Sequence, residues 1–254
     1  AEQAAFLLSL IVGLTVFVLL TGFQQVFGAS LYRDGVDHLN TLVSSYQWST
    51  GALKSAKPDY ASLKEKLQRY LETRPGQWSV YVQDLSTGQT LDMGADQVYD
   101  AASTIKMPLV LYLYELAAQG KVDLNTRLTY TPQYYEQGSG IIQGQPFGSQ
   151  YSLQELARLA IENSDNVAWH MIQDYLGRDN FIAFMKSLGG EATGMVNGYS
   201  VTTPRDMGEY LKALLAFRAE HPAPGNEILD YMEHSVYDPK RYSPGTTGRD
   251  GGGP

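Results

Sequence analysis

Ala102-Ser103-Thr104-Ile105-Lys106-Met107-Pro108 opens an apolar run that continues to Ala118 and closes at Gly120. Read as a helix, this places Ser103 and Lys106 one turn apart on the same face. The dipole field at a helix N-terminus and burial both disfavour a charged ammonium there. A lysine that must accept a proton needs that help, because its pKa in water is ~10.4. The hydroxyl would lie beside backbone N–H groups that lack helical partners, and such groups can stabilise an oxyanion. Pro108 falls where a missing donor costs little. The plain alternative is an exposed capping serine and a solvated lysine. A chain of this length contains about one Ser-x-x-Lys by chance.

Upstream, Trp78 to Val82 reads as a strand, Asp84-Leu85-Ser86-Thr87-Gly88 as a turn, and Gln89 to Met93 as the return strand of a hairpin. Before it, residues 31–74 read as helix, turn, helix. Leu39, Leu42, Val43 and Tyr46 mark the first helix; Leu63, Leu67, Tyr70 and Leu71 mark the second, which starts at Pro58-Asp59. Downstream, Ser152-Leu153-Gln154-Glu155 is a capping box for a helix to Glu162. Further helices are expected over Val167–Leu176, Phe181–Leu188 and from Thr203-Pro204 through Phe217. A short last one is expected from Asn226 to His234. Strands followed by many helices give an α+β class.

Sixty-one residues after Ser103 stands Ser164-Asp165-Asn166, between two helices. A second hydroxyl can relay a proton to a leaving nitrogen, and an asparagine amide can donate to a substrate carbonyl. Ser164 or Asp165 can also simply cap the next helix.

Ser-x-x-Lys together with Ser-Asp-Asn resembles the mark of the serine β-lactamase and penicillin-binding-protein superfamily, and class A β-lactamases most closely. The likeness covers roughly residues 60–245. It includes Tyr130-Thr131-Pro132, Gly138-Ser139-Gly140 and Thr202-Thr203-Pro204-Arg205-Asp206-Met207. The resemblance implies a helical subdomain with an antiparallel sheet. It makes Ser103 the acylated nucleophile, Lys106 its proton acceptor and Ser164 the proton relay. Asn166, Tyr130 and Ser139 would then contact substrate, and Asp165 would brace the loop.

Two departures stand out. The family carries Lys-Thr-Gly on a late strand; here Thr246-Thr247-Gly248 lacks the lysine and sits in a Gly/Pro-rich tail. The late strands are therefore expected to be missing, with an unpaired edge and an uncovered apolar face on the 78–93 hairpin. The family's deacylating Glu-x-x-Leu-Asn is also not found. The only glutamate between Asn166 and Thr202 is Glu191, a weak candidate for the base. An acyl-enzyme without that base would persist.

From Ala4 to Phe23 there is no charge, and about 20 helical residues span a ~30 Å hydrocarbon core. Phe27-Gly28-Ala29 makes a poor signal-peptide cleavage site. The expected organisation is therefore an N-terminal transmembrane anchor or signal segment over 1–30, a helical stalk over 31–58 and a serine-hydrolase domain over 59–254. That domain would lie outside the cytoplasm on a single-pass cell-membrane anchor, or would be secreted. With no cysteine, the chain has no thiol nucleophile, disulfide, Fe–S cluster or cysteine zinc site. A net charge of −8 argues against a nucleic-acid partner. His38, His170, His221 and His234 lack metal spacing, and His170 beside Trp169 is expected to pack. No cofactor or metal is expected. The partners expected are a β-lactam or a peptidoglycan peptide, and the membrane. The function classes that follow are a β-lactamase-type hydrolase, a penicillin-binding peptidase or transpeptidase, or an anchored binding protein that kept the fold without turnover.

Overall fold

Asp59 starts the first helix. Its carboxylate accepts the Ser62 N–H at 3.1 Å and caps α1 (Tyr60–Glu72). The computed structural model describes residues 59–196 and 199–236. These fall into two compact units: residues up to Ile105 with Met185–Ala213, and Lys106–Phe184 with residues from Leu214 on. The expected anchor and stalk, and Thr246-Thr247-Gly248, lie outside the described residues. Among the described residues no helix is long and apolar enough to cross a membrane.

In the first unit, β1 (Val80–Gln83) pairs antiparallel with β2 (Thr90–Met93), Val80 opposite Met93 and Gln83 opposite Thr90. Asp84 closes the turn, its carboxylate accepting from the Ser86 and Thr87 N–H groups at 2.7 and 3.2 Å. The apolar face of this hairpin is covered, contrary to expectation. Leu63, Leu67 and Leu71, one stripe of α1, bury against Val80 and Leu91. The sequence pattern contained both halves of this contact but not their meeting.

A second sheet was not foreseen. β6 (Gly194–Val196) and β7 (Tyr199–Thr202) form a hairpin, and β7 also pairs with β3 (Tyr99–Asp100), Asp100 opposite Val201. Strands of two to four residues are too short for their alternation to register in sequence. The 3-10 turn Ala102–Ile105 follows β3 directly. Thr203 then caps α6 (Pro204–Glu220) by accepting the Asp206 N–H at 3.1 Å.

The second unit is built on α2 (Lys106–Ala118). Leu109, Val110, Leu111 and Leu113 are all fully buried, so the first half of this helix is enclosed on every side. Packed with it or with one another are α3 (Leu153–Glu162), α4 (Asn166–Leu176) and α7 (Pro222–Glu233). The capping box at Ser152 is formed in both directions. Strands β4 (Arg127–Thr129) and β5 (Gln150–Ser152) pair ahead of α3, and α5 (Arg178–Ser187) follows Gly177. The last helix starts at Pro222, not Asn226. Pro222 and Pro224 fit a first turn, whose N–H groups lack helical partners, and Gly225 lies where a Cβ would come within 2.4 Å of the Arg218 Cα.

Leu67→Ala removes the central knob between α1 and the hairpin, where Leu67 is 3% exposed. It is expected to cost roughly 2–5 kcal/mol in urea unfolding. Lys64→Ala, on the exposed side of α1, should stay within about 0.5 kcal/mol.

Candidate active site

Two non-glycine residues among those described have a left-handed φ, Ala102 at 44° and Ser164 at 50°. Such backbone costs on the order of 1–3 kcal/mol and persists only where its surroundings impose it. At Ala102 they do so from both sides. The Ala101 N–H donates to Ser200 O at 2.7 Å, and the Ala102 N–H donates to Asp100 Oδ1 at 2.9 Å. The chain turns sharply off the β3–β7 sheet into the 3-10 turn, and Ser103, half-buried, is its second residue. That turn runs straight into α2, whose first residue is Lys106 and whose third is Pro108.

Lys106 is 4% exposed. Its Nζ donates to the Ser164 carbonyl, to Ser164 Oγ at 3.0 Å and to Asn166 Oδ1 at 2.8 Å. Burial pushes its pKa down to about 8, against the opposing pull of the Asp165 and Glu136 carboxylates. Desolvation is therefore what favours the neutral form of this lysine.

Asp165 is fully buried. One oxygen caps α4 through the Ala168 N–H at 2.9 Å. The other accepts the Ile141 and Ile142 N–H groups at 2.6 and 2.9 Å. This ties the Gly138-Ser139-Gly140 turn to the start of α4. Gly140 has φ 113°, and a Cβ there would lie 2.3 Å from the Asp165 carboxyl carbon. Ser139 Oγ then donates to the Ser164 carbonyl at 2.7 Å and lies 3.3 Å from Asn166 Oδ1, while Ser139 O accepts the Asn166 N–H. Ser164, Asn166, Ser139 and Lys106 thus form one hydrogen-bonded cluster.

Tyr130, expected to contact substrate, is enclosed. It is 0% exposed, its ring lies tilted against that of Phe147 with centroids 5.0 Å apart, and its backbone holds Gly148 and Ser149. Glu191 is exposed on a turn of the first unit. Its neighbours there, the Ala192 N–H and Thr193 Oγ1, donate to buried Asp206 at 3.1 and 2.7 Å. One residue escaped the sequence reading. Glu136 accepts from Asn166 Nδ2 at 3.3 Å and pairs with His170. Its only signal was its place three residues before the glycine-flanked serine. His170 does lie against Trp169, edge to face, but its Nε2 contacts the Glu136 carboxylate. Among the described residues no three His, Cys, Asp or Glu side chains converge as a metal site would need.

A family model described as the beta-lactamase enzyme family matches residues 62–248. Beta-lactamase SME-1 of Serratia marcescens is 27% identical over 127 residues, 49% of this chain and 43% of that protein. The match therefore spans less than half the length of that curated relative. Among solved structures, PBP-A superposes with a TM-score of 0.64 at 32% identity, over 69% of each chain. A mutant of PBP-A that is also similar to this chain is described as an acyl-enzyme complex with penicillin-G. An ancestral class A beta-lactamase reaches a TM-score of 0.63 at 26% identity, over 69% of this chain and 72% of that one.

Asp165→Ala strands three backbone N–H groups in a buried setting. The expected loss is roughly 3 kcal/mol or more in urea unfolding. Faster hydrogen exchange at Ile141 and Ile142 than at Leu111 should accompany it.

Proposed function

Because the chain belongs to the beta-lactamase enzyme family, we propose that it is a serine hydrolase that forms an acyl-enzyme on Ser103 with β-lactams. The observation that carries this is Lys106, buried, held near neutrality and hydrogen-bonded to Ser164 and Asn166. Ser103 precedes it by three residues on a continuous helical path. In the reaction, neutral Lys106 takes the Ser103 proton as Oγ attacks the lactam carbonyl carbon. The ring C–N bond breaks, and the proton passes through Ser164 Oγ to the departing nitrogen. The ring opens without losing an atom, so the adduct carries the full mass of the β-lactam.

The chemistry of the lysine's partners supports Ser164 as the relay. The Ser164 carbonyl and Asn166 Oδ1 can only accept a hydrogen bond; Ser164 Oγ can also donate. When Lys106 is neutral and offers a lone pair, this hydroxyl can reverse its role and supply a proton.

Hydrolysis of the acyl-enzyme is slow in this reading. The chain lacks the Glu-x-x-Leu-Asn loop, and Glu191 is exposed rather than enclosed among acidic or amide partners. That favours penicillin-binding behaviour, with a peptidoglycan peptide as the second substrate class. The uncharged segment from Ala4 to Phe23 supports a single-pass anchor that holds the domain outside the cytoplasm.

Intact-mass analysis after incubation with penicillin should show one full-mass adduct that outlasts the excess reagent, and none in Ser103→Ala. An adduct on that variant, or none on the wild type, would overturn the assignment and leave a binding protein. Lys106→Ala should slow acylation by roughly 10²–10⁴-fold with the fold retained.

The acylation rate should also depend on pH. Only neutral Lys106 can accept the proton, so the rate rises with pH, is half-maximal near about 8 and levels off above it. A flat profile between pH 6 and 9 would remove Lys106 as the acceptor.

A further inference from the structure

Glu136 is half-exposed, with 43% of its side chain accessible, yet both of its carboxylate oxygens are engaged. One pairs with His170 Nε2; the other accepts from Asn166 Nδ2 at 3.3 Å. The opposite end of the same amide, Asn166 Oδ1, accepts from Lys106 Nζ at 2.8 Å and lies 3.3 Å from Ser139 Oγ. The two ends of an amide are chemically opposite. A cation at one end and an anion at the other allow one orientation. Turned over, the amide would set its NH₂ against the ammonium and its oxygen against the carboxylate. His170 lies four residues after Asn166 on α4, so its ring stands on the same helix face and holds Glu136 at the amide.

We propose that Glu136, held by His170, is a positioning residue that orients the Asn166 amide and retains the proton of Lys106. The amide keeps its second N–H for a substrate carbonyl, because Glu136 uses only one. An isolated surface ion pair would contribute about 0–1 kcal/mol and nothing else. Glu136 is set apart by its second contact, which reaches the lysine through a single side chain.

The charged groups around Lys106 act in opposite senses to its burial. Desolvation drives the proton off, while Asp165 at the cap of α4 and Glu136 on the facing turn hold it on. His170 pairs with Glu136, and Asp174, one turn further along α4, accepts from Tyr134 Oη at 2.6 Å. Removing the Glu136 charge must therefore lower the pH at which Lys106 loses its proton.

The kinetic arm of the test rests on the acylation reading; the spectroscopic arm does not. Lysine labelled with ¹³C at Cε would be followed by NMR from pH 6 to 11 in the wild type, Glu136→Gln and Glu65→Gln. The Lys106 signal is identified by its loss in Lys106→Ala. Glu136→Gln keeps the shape and an acceptor oxygen but removes the charge. Its Lys106 midpoint should fall by roughly half a pH unit, and Glu65→Gln, exposed on α1, should leave it in place. With penicillin, the acid limb of the Glu136→Gln acylation profile should move down by the same amount. Glu136→Ala, which also frees the amide, should acylate roughly tenfold more slowly at its plateau. An unmoved midpoint in Glu136→Gln, or a wild-type plateau rate in Glu136→Ala, overturns the proposal even if penicillin acylates Ser103. A moved midpoint in a chain that penicillin does not acylate upholds the Lys106 part and removes the function instead.

Discussion

Burying a carboxylate costs several kcal/mol unless donors meet its oxygens, and Asp165 is buried completely. Three backbone N–H groups meet it, one from its own helix and two from a turn more than twenty residues earlier in the chain. The geometry of that neighbourhood follows from this requirement. Residue 140 can carry no side chain, because a Cβ would overlap the carboxyl group. Ser164, the residue before Asp165, has φ 50°. In that conformation its carbonyl and hydroxyl both face Lys106, and its carbonyl also receives Ser139. The structural role of Asp165 and the assembly of the polar cluster are one arrangement.

The lysine is the chemical consequence. In water it would stay protonated far above neutral pH. Here it begins a helix whose next five residues, Met107 to Leu111, are apolar and buried, and its burial outweighs the two carboxylates that favour the ammonium. The oxygens around it stabilise the charged form without making it permanent. A single serine hydroxyl among them can both accept and donate.

The first unit uses the same device for a different end. Buried Asp206 accepts from the Ala192 N–H and Thr193 Oγ1, and Tyr210 Oη donates to Thr193 at 2.6 Å. A Cβ on Gly190 would meet that tyrosine oxygen. This pins the turn ahead of the β6–β7 hairpin and leaves Glu191 facing solvent. Arg205, beside it on α6, instead joins Asp96 at 2.6 Å on the surface and lies over the Tyr81 ring.

Local chemistry was legible in the sequence. The capping box at Ser152, the cap at Thr203, the Asp84 turn and the stop at Gly177 each depend on residues within a few positions of one another, so their physics is written in order along the chain. Ser-x-x-Lys and Ser-Asp-Asn could be read for the same reason. What needed the tertiary structure was every pairing across long separations. Alternation over three residues cannot reveal that β7 joins β3, and no local pattern tells a half-buried tyrosine from Tyr130, which is enclosed. Glu136 has no local pattern that marks it, and only the fold brings it to Asn166 and His170. Sequence by itself determined which groups could do chemistry, because reactivity begins with residue type and local spacing. Tertiary structure alone decided their protonation and orientation, because desolvation and hydrogen bonding are properties of neighbours that the chain gathers from far apart.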